Sequence, residues 1–168
     1  DICLISDDDV TFLEGFEQEI IEEFDKNPEA DIITFRVLDE NGKPLKKYFN
    51  RKFHSKRTLS RVSSIEIAFR LQSIIRNELW FDEDFGLGSK YPTGEEFIFL
   101  SDAHNKKLKI MNSTQFIASH PKITSGNSLR GNKTLLKAKG ALFFRVFGYF
   151  GYTVALMFAF VKFRLIDL

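Results

Sequence analysis

Cysteine occurs once in this chain, as Cys3, so no disulfide can form within it, and a reducing compartment fits. Long apolar runs are also missing. The longest uninterrupted one, Val146 to Val161, falls short of the roughly 18 to 20 residues that span a membrane with confidence. There is no internal repeat and no low-complexity tract, which sets aside solenoids and biased linkers. Charge excess is absent as well: the formal net charge is +1, so nothing implies overall polyelectrolyte behaviour. The chain starts at Asp1 with no initiator Met, basic leader or signal peptide. A strand beginning at residue 2 and leading straight into an acidic cluster implies that an upstream segment precedes it.

What is there is a 168-residue chain, enough for one domain with a real core, carrying 19 phenylalanines. Its charge is unevenly placed. Lys26 is the one basic residue between Asp1 and Asp31, whereas Lys43 to Arg61 holds eight basic residues and no acid. Ile2-Cys3-Leu4-Ile5 reads as a buried strand in a sheet covered on both faces. Phe12, Leu13, Phe16, Ile20, Ile21 and Phe24 recur at helical spacing up to Asn27-Pro28. Asp31 to Leu38 reads as a strand, Asn41-Gly42 as a turn, and Lys46 to Phe53 as the returning strand of a hairpin with a basic rim. Ile65 to Arg70 suits a strand and Leu71 to Leu79 a short helix. A Gly-rich loop from Trp80 to Gly94 precedes a helix over Glu95 to Asn105. Leu108 to Met111 and Gln115 to His120 are strand-like, and Thr124 to Lys133 is a polar loop. His54 and His104 have no evident partner in the sequence and are expected at the surface.

The chemistry concentrates at Asp7-Asp8-Asp9. Three adjacent carboxylates repel one another unless something positive sits among them, and hard divalent cations favour such ligands together with substrate phosphates. In open α/β sheets ligands bind beyond the carboxyl ends of strands, where this run stands. A plainer account is a solvated strand end capping the next helix. Asp7-Asp8-Asp9-Val10-Thr11 also satisfies the Asp-x-Asp-x-Thr pattern and so resembles the haloacid dehalogenase-like phosphatases, in which Asp7 would attack phosphorus. The later Gly-Asp-x-x-x-Asp motif of those enzymes is absent.

A longer series runs through the chain. It comprises an apolar strand, Ser6-Asp7-Asp8-Asp9, a helix, a strand, Trp80-Phe81-Asp82-Glu83-Asp84-Phe85-Gly86, Gly94-Glu95-Glu96 opening a helix, and a strand ending in His120. Over residues 1 to 121 this order resembles the family 2 glycosyltransferases of the GT-A fold, particularly bacterial enzymes of capsular and surface polysaccharide synthesis. The resemblance implies an α/β, Rossmann-like mixed sheet flanked by helices, lacking the N-terminal strands that hold the nucleotide in that family. It implies an inverting glycosyltransferase that uses a UDP- or GDP-sugar donor and a glycan or lipid-linked acceptor. The acidic run would be the DxD motif, with Asp7, Asp8 and Asp9 holding Mn²⁺ or Mg²⁺ on the donor diphosphate and Asp9 the first candidate. His120 would approach the metal or diphosphate. Glu96, with Glu95 beside it, would deprotonate the acceptor, although the family usually carries Asp there. Trp80, Phe85 and Gly94, with Phe81, would shape the acceptor side.

These assignments divide the chain into a partial catalytic domain, 1–134, and a hydrophobic C-terminal helix, 135–168. Tyr149, Tyr152 and the flanking Lys137, Lys139, Lys162 and Arg164 suit a membrane interface, so the expected location is peripheral, on the cytoplasmic face of the cell membrane. The basic stretch suits lipid-linked phosphates or an anionic membrane, while Tyr48, Phe49 and Phe53 form no nucleic-acid motif, and no nucleic-acid partner is expected. A competing reading of another class is a non-catalytic, membrane-associated module that binds a glycan or lipid phosphate.

Overall fold

In a computed structural model, residues 1–121 and 132–162 are described, and the expected Thr124 to Lys133 loop lies largely outside them. The chain forms two compact units: one holds Asp1–Trp80 and the stretch from Leu100, the other Phe81–Phe99 and the C-terminal helices.

The first unit is a five-stranded mixed sheet. Its strands are β1 (Ile2–Leu4), β2 (Thr11–Phe12), β3 (Ile32–Leu38), β4 (Ile67–Arg70) and β5 (Ile110–Ser119). Their order is β1-β4-β3-β5-β2, with β3 and β5 parallel and every other pair antiparallel. Strands β1, β3 and β5 therefore point the same way. β3 is buried along almost its whole length, as its continuous apolar sequence requires. Helix α1 (Phe16–Lys26) turns Ile20 and Phe24 into a core with Ile33, Phe35, Val37, Met111 and Ile117. It starts later than its apolar spacing suggests. Thr11 and Phe12 pair with Ser119 and Ala118 as an edge strand, and Gly15, at φ 77°, turns the backbone into the helix.

Four expectations are corrected. β1 is a three-residue, half-buried edge strand, not a strand covered on both faces. Lys46 to Phe53 forms no returning strand; isolated bridges flank it, Leu38 to Pro44 before it and Phe53 to Met111 at its end, with no ladder between them. The physical reason lies in β5, whose polar centre needs partners. The Asn112 side chain donates to the carbonyls of Phe49 (3.0 Å) and Arg51 (3.2 Å), and the Asn112 N–H donates to Lys52 (2.7 Å). The same satisfaction lets β5 run unbroken from Ile110 to Ser119, where two strands were expected. Ile65 and Glu66, finally, lie in a 3-10 turn (Ser64–Glu66) ahead of β4. Helices α2 (Lys56–Leu59) and α3 (Leu71–Arg76) complete this unit.

Helix α4 (Glu95–Asn105) contributes its first turn to the second unit. The apolar tail there is two helices rather than one, α5 (Lys133–Phe147) and α6 (Phe150–Lys162), separated at Gly148. Among the described residues no helix is long and apolar enough to cross a membrane.

Candidate functional site

β1 and β2 lie on opposite edges of the sheet, so the chain between them, Ile5 to Val10, must pass from one edge to the other. It does so at the carboxyl ends of β3 and β5. Ile5 donates its N–H to Ile67 on one side (3.0 Å), and Thr11 pairs with Ser119 on the other. The three aspartates occupy that crossing, the position where open α/β sheets bind ligands.

Asp9 is side by side with His120, the residue that follows β5. Its Oδ1 lies 3.0 Å from Nε2, and Nδ1 lies 2.7 Å from the Pro121 carbonyl. Only a ring N–H satisfies a carbonyl, so Nδ1 donates to Pro121. Nε2 then either shares a proton with Asp9 or, without one, offers its lone pair to a cation beside the carboxylate. His120 is 5% exposed and held from below, whereas Asp9 is 55% exposed, so a ligand can reach the pair from solvent. Asp7 is drawn elsewhere: the Ser64 hydroxyl donates to its Oδ2 at 3.2 Å. Asp8 is exposed. Among the described residues no three His, Cys, Asp or Glu side chains converge as a metal-binding group. The Asp9–His120 pair offers one oxygen and one nitrogen, a donor set compatible with Mn²⁺ or Mg²⁺ if phosphate oxygens and water supply the remaining ligands.

The second unit holds the other acids. Gly94, at φ 97°, lies so close to Leu142 that a Cβ there would sit 2.7 Å from its Cδ2, so the entry to α4 admits glycine alone. The loop before it is tied by Ser89, whose Oγ is within 3.1 Å of the carbonyls of Asp84, Gly86 and Tyr91. Lys139 of α5 reaches this region, its Nζ 3.4 Å from Thr93 Oγ1. Burial holds Lys139 below its ordinary range, while the charges of Glu96 and then Glu95 pull it back up. The two glutamates therefore sit in the field of a partly desolvated cation. Nothing in the sequence singled Lys139 out from the other tail cations. Phe85 is buried against Tyr91, ring centroids 4.9 Å apart, so it props the loop and presents no open face. Trp80, in the first unit, is 71% exposed and is not a core residue.

The basic stretch also departs from expectation. His54 is half-buried, its Nε2 2.8 Å from Thr34 Oγ1 and its Nδ1 3.2 Å from Thr58 Oγ1, and burial pushes it down to about 4. Lys46 pairs with Glu66 (2.8 Å) rather than facing solvent as part of a rim. His104 is partly exposed.

No family model matches the chain, and no curated protein does. Solved structures do, and what they share with it is the mixed sheet with its flanking helices. The chain is similar to the crystal structure of S. aureus TarS, at a TM-score of 0.59 and 12% identity, over 84% of this chain and 24% of that one. It is similar too to that of S. aureus TarS 1–349, at a TM-score of 0.54 and 12% identity, over 88% of this chain and 41% of that one. The chain thus spans about a quarter of the one and under half of the other, and the likeness is one of fold.

Proposed function

We propose that this chain belongs to an inverting, metal-assisted glycosyltransferase that moves a sugar from a nucleotide-diphosphate donor to a glycan or lipid-linked acceptor in surface polysaccharide synthesis. The observation that carries the reading is the Asp9–His120 pair at the carboxyl ends of β3 and β5, within a glycosyltransferase-like fold. Asp9 and His120 would hold the divalent cation, with Asp7 and Asp8 adding negative charge around it. A bound cation would neutralise charge growing on the departing diphosphate. Glu96 takes the proton of the acceptor hydroxyl as its oxygen bonds to the anomeric carbon and the carbon–oxygen bond to the diphosphate breaks, so that configuration inverts. Lys139 supplies the positive charge whose field Glu96 and Glu95 share. Exposed Trp80 offers an aromatic face to a sugar ring.

The test combines Mn²⁺ titration calorimetry with release of nucleoside diphosphate from UDP- and GDP-sugars. Asp9→Asn should weaken Mn²⁺ binding by roughly tenfold or more, as losses of metal ligands and their supports do. Glu96→Gln should leave Mn²⁺ binding intact and slow turnover roughly 10²- to 10⁴-fold. Full activity in both Asp9→Ala and Glu96→Gln would reject these roles. Phosphate release from aryl phosphates, lost in Asp7→Asn, would point to the phosphatase reading instead. Glycan binding with no metal dependence would point to a non-catalytic module.

A further inference from the structure

Helix α6 uses one face on α5. The Phe143 and Phe158 rings meet at 5.3 Å, and a Cβ on Gly151 would lie 2.5 Å from the Phe143 carbonyl oxygen. The opposite face has no cover among the described residues. Tyr149, Tyr152, Leu156, Met157, Phe160 and Val161 recur there at steps of three and four and are 65% to 89% exposed. Phe144 of α5 meets Tyr149 and Tyr152 edge-on and widens the stripe. A water-facing helix normally carries polar residues at such positions, and a contiguous apolar patch marks an interaction surface.

Charge decides what the surface fits. The described tail, residues 132–162, carries five Lys and Arg residues and no acid. A second copy docked on this face would set like charge against like charge. An anionic bilayer meets it with the opposite charge, at about 1 kcal/mol for each basic residue near its surface. Lys133 and Lys137 of α5 are exposed, and tyrosines at one end of the stripe suit the headgroup level. The 13 residues of α6 make a helix about 20 Å long, against a hydrocarbon core of about 30 Å. Over its described length the helix suits an interface and is too short to cross it.

We propose that the exposed stripe of α6 docks this chain on an anionic lipid bilayer, with the helix lying in the interfacial plane. The test is co-sedimentation with phosphatidylcholine vesicles with and without phosphatidylglycerol, together with sedimentation equilibrium in the absence of lipid. The chain should partition onto the phosphatidylglycerol vesicles, less so at high salt. Leu156→Ser with Phe160→Ser should cut that partitioning roughly tenfold or more while circular dichroism stays unchanged. Lys133→Glu with Lys137→Glu should reduce the preference for phosphatidylglycerol. Equal binding to both vesicle types, no binding to either, or a dimer that the serine variant dissociates would each overturn the proposal.

Discussion

Carboxylates of the sheet unit live in two contrasting circumstances. Glu66 is 2% exposed and fully engaged, by Lys46 Nζ at 2.8 Å, the Tyr48 hydroxyl at 2.8 Å and the Ser63 N–H at 3.1 Å. Asp7 to Asp9 are exposed and share one histidine and one serine among them. The same chemical group thus serves structure where the chain supplies its partners and stays available for a ligand where it does not. The difference follows from cost. An ion taken out of water needs a complete shell, and the chain provides one around Glu66 by sending Lys46 inward from the basic stretch. Lys46 also donates to the Arg61 carbonyl, and Ser63 accepts from it, which fixes its stem.

The largest effect expected from this contrast is on folding. Lys46→Met leaves Glu66 buried without its cation and should destabilise the chain by about 3–5 kcal/mol in urea unfolding. Pairing it with Glu66→Leu should recover most of that loss, because no charge then remains buried. A single variant of wild-type stability would mean that Glu66 is neutral in the folded chain. Burial already pushes Glu66 upward, against the pull of Lys46, so its protonation on acidification favours the folded state.

His54 runs the other way and gives the next effect. Burial lowers it from 6.5 to about 4, so below pH 6.5 the unfolded chain takes up a proton that the folded chain refuses. The stability tied to neutral His54 is whole above pH 6.5 and drains as pH falls toward 4. Between pH 6.5 and 5 the loss should be about 2 kcal/mol. Urea midpoints of the wild-type chain and His54→Gln, followed over that range, should converge as pH falls. Parallel curves would show that His54 is hydrated and titrates normally.

Periodicity made α1 legible, because it buries one apolar face whose spacing survives in the sequence, while unbroken apolar runs marked β3 and the middle of α4, which are buried nearly all round. The approach of His120 to the acidic run was an implication of the resemblance alone, and no pattern of apolar residues ties the two together; the structure sets His120 3.0 Å from Asp9. Glu66 was not legible. In Ile65-Glu66-Ile67 it looks like the solvent face of an alternating strand, and only the 3-10 turn brings it under Lys46 and Tyr48. His54 was misread in the same way, since Thr34 and Thr58 are distant or weakly marked in sequence. Partners supplied by irregular backbone leave no period to read. The expected Lys46–Phe53 strand failed on this point: its carbonyls are spent on Asn112 and Arg36 rather than on a ladder. The break at Gly148 was hidden by uniform apolarity, which is equally compatible with one long helix or two short ones.

The smallest effect separates the acids of the exposed group from one another. Ser64→Ala removes a single solvent-exposed hydrogen bond to Asp7, so stability should change by less than about 0.5 kcal/mol. Its consequence lies with the cation. Ser64 holds Asp7 toward the 3-10 turn, and without that tie Asp7 is free to swing to the Asp9–His120 pair and add a third ligand. Mn²⁺ binding measured by calorimetry should then tighten a few-fold, and the gain should vanish in Ser64→Ala combined with Asp7→Asn. Weaker binding in the single variant would reverse the assignment. Ser64 would then be orienting Asp7 as a ligand, and the exposed acids would share the prearranged character of Glu66.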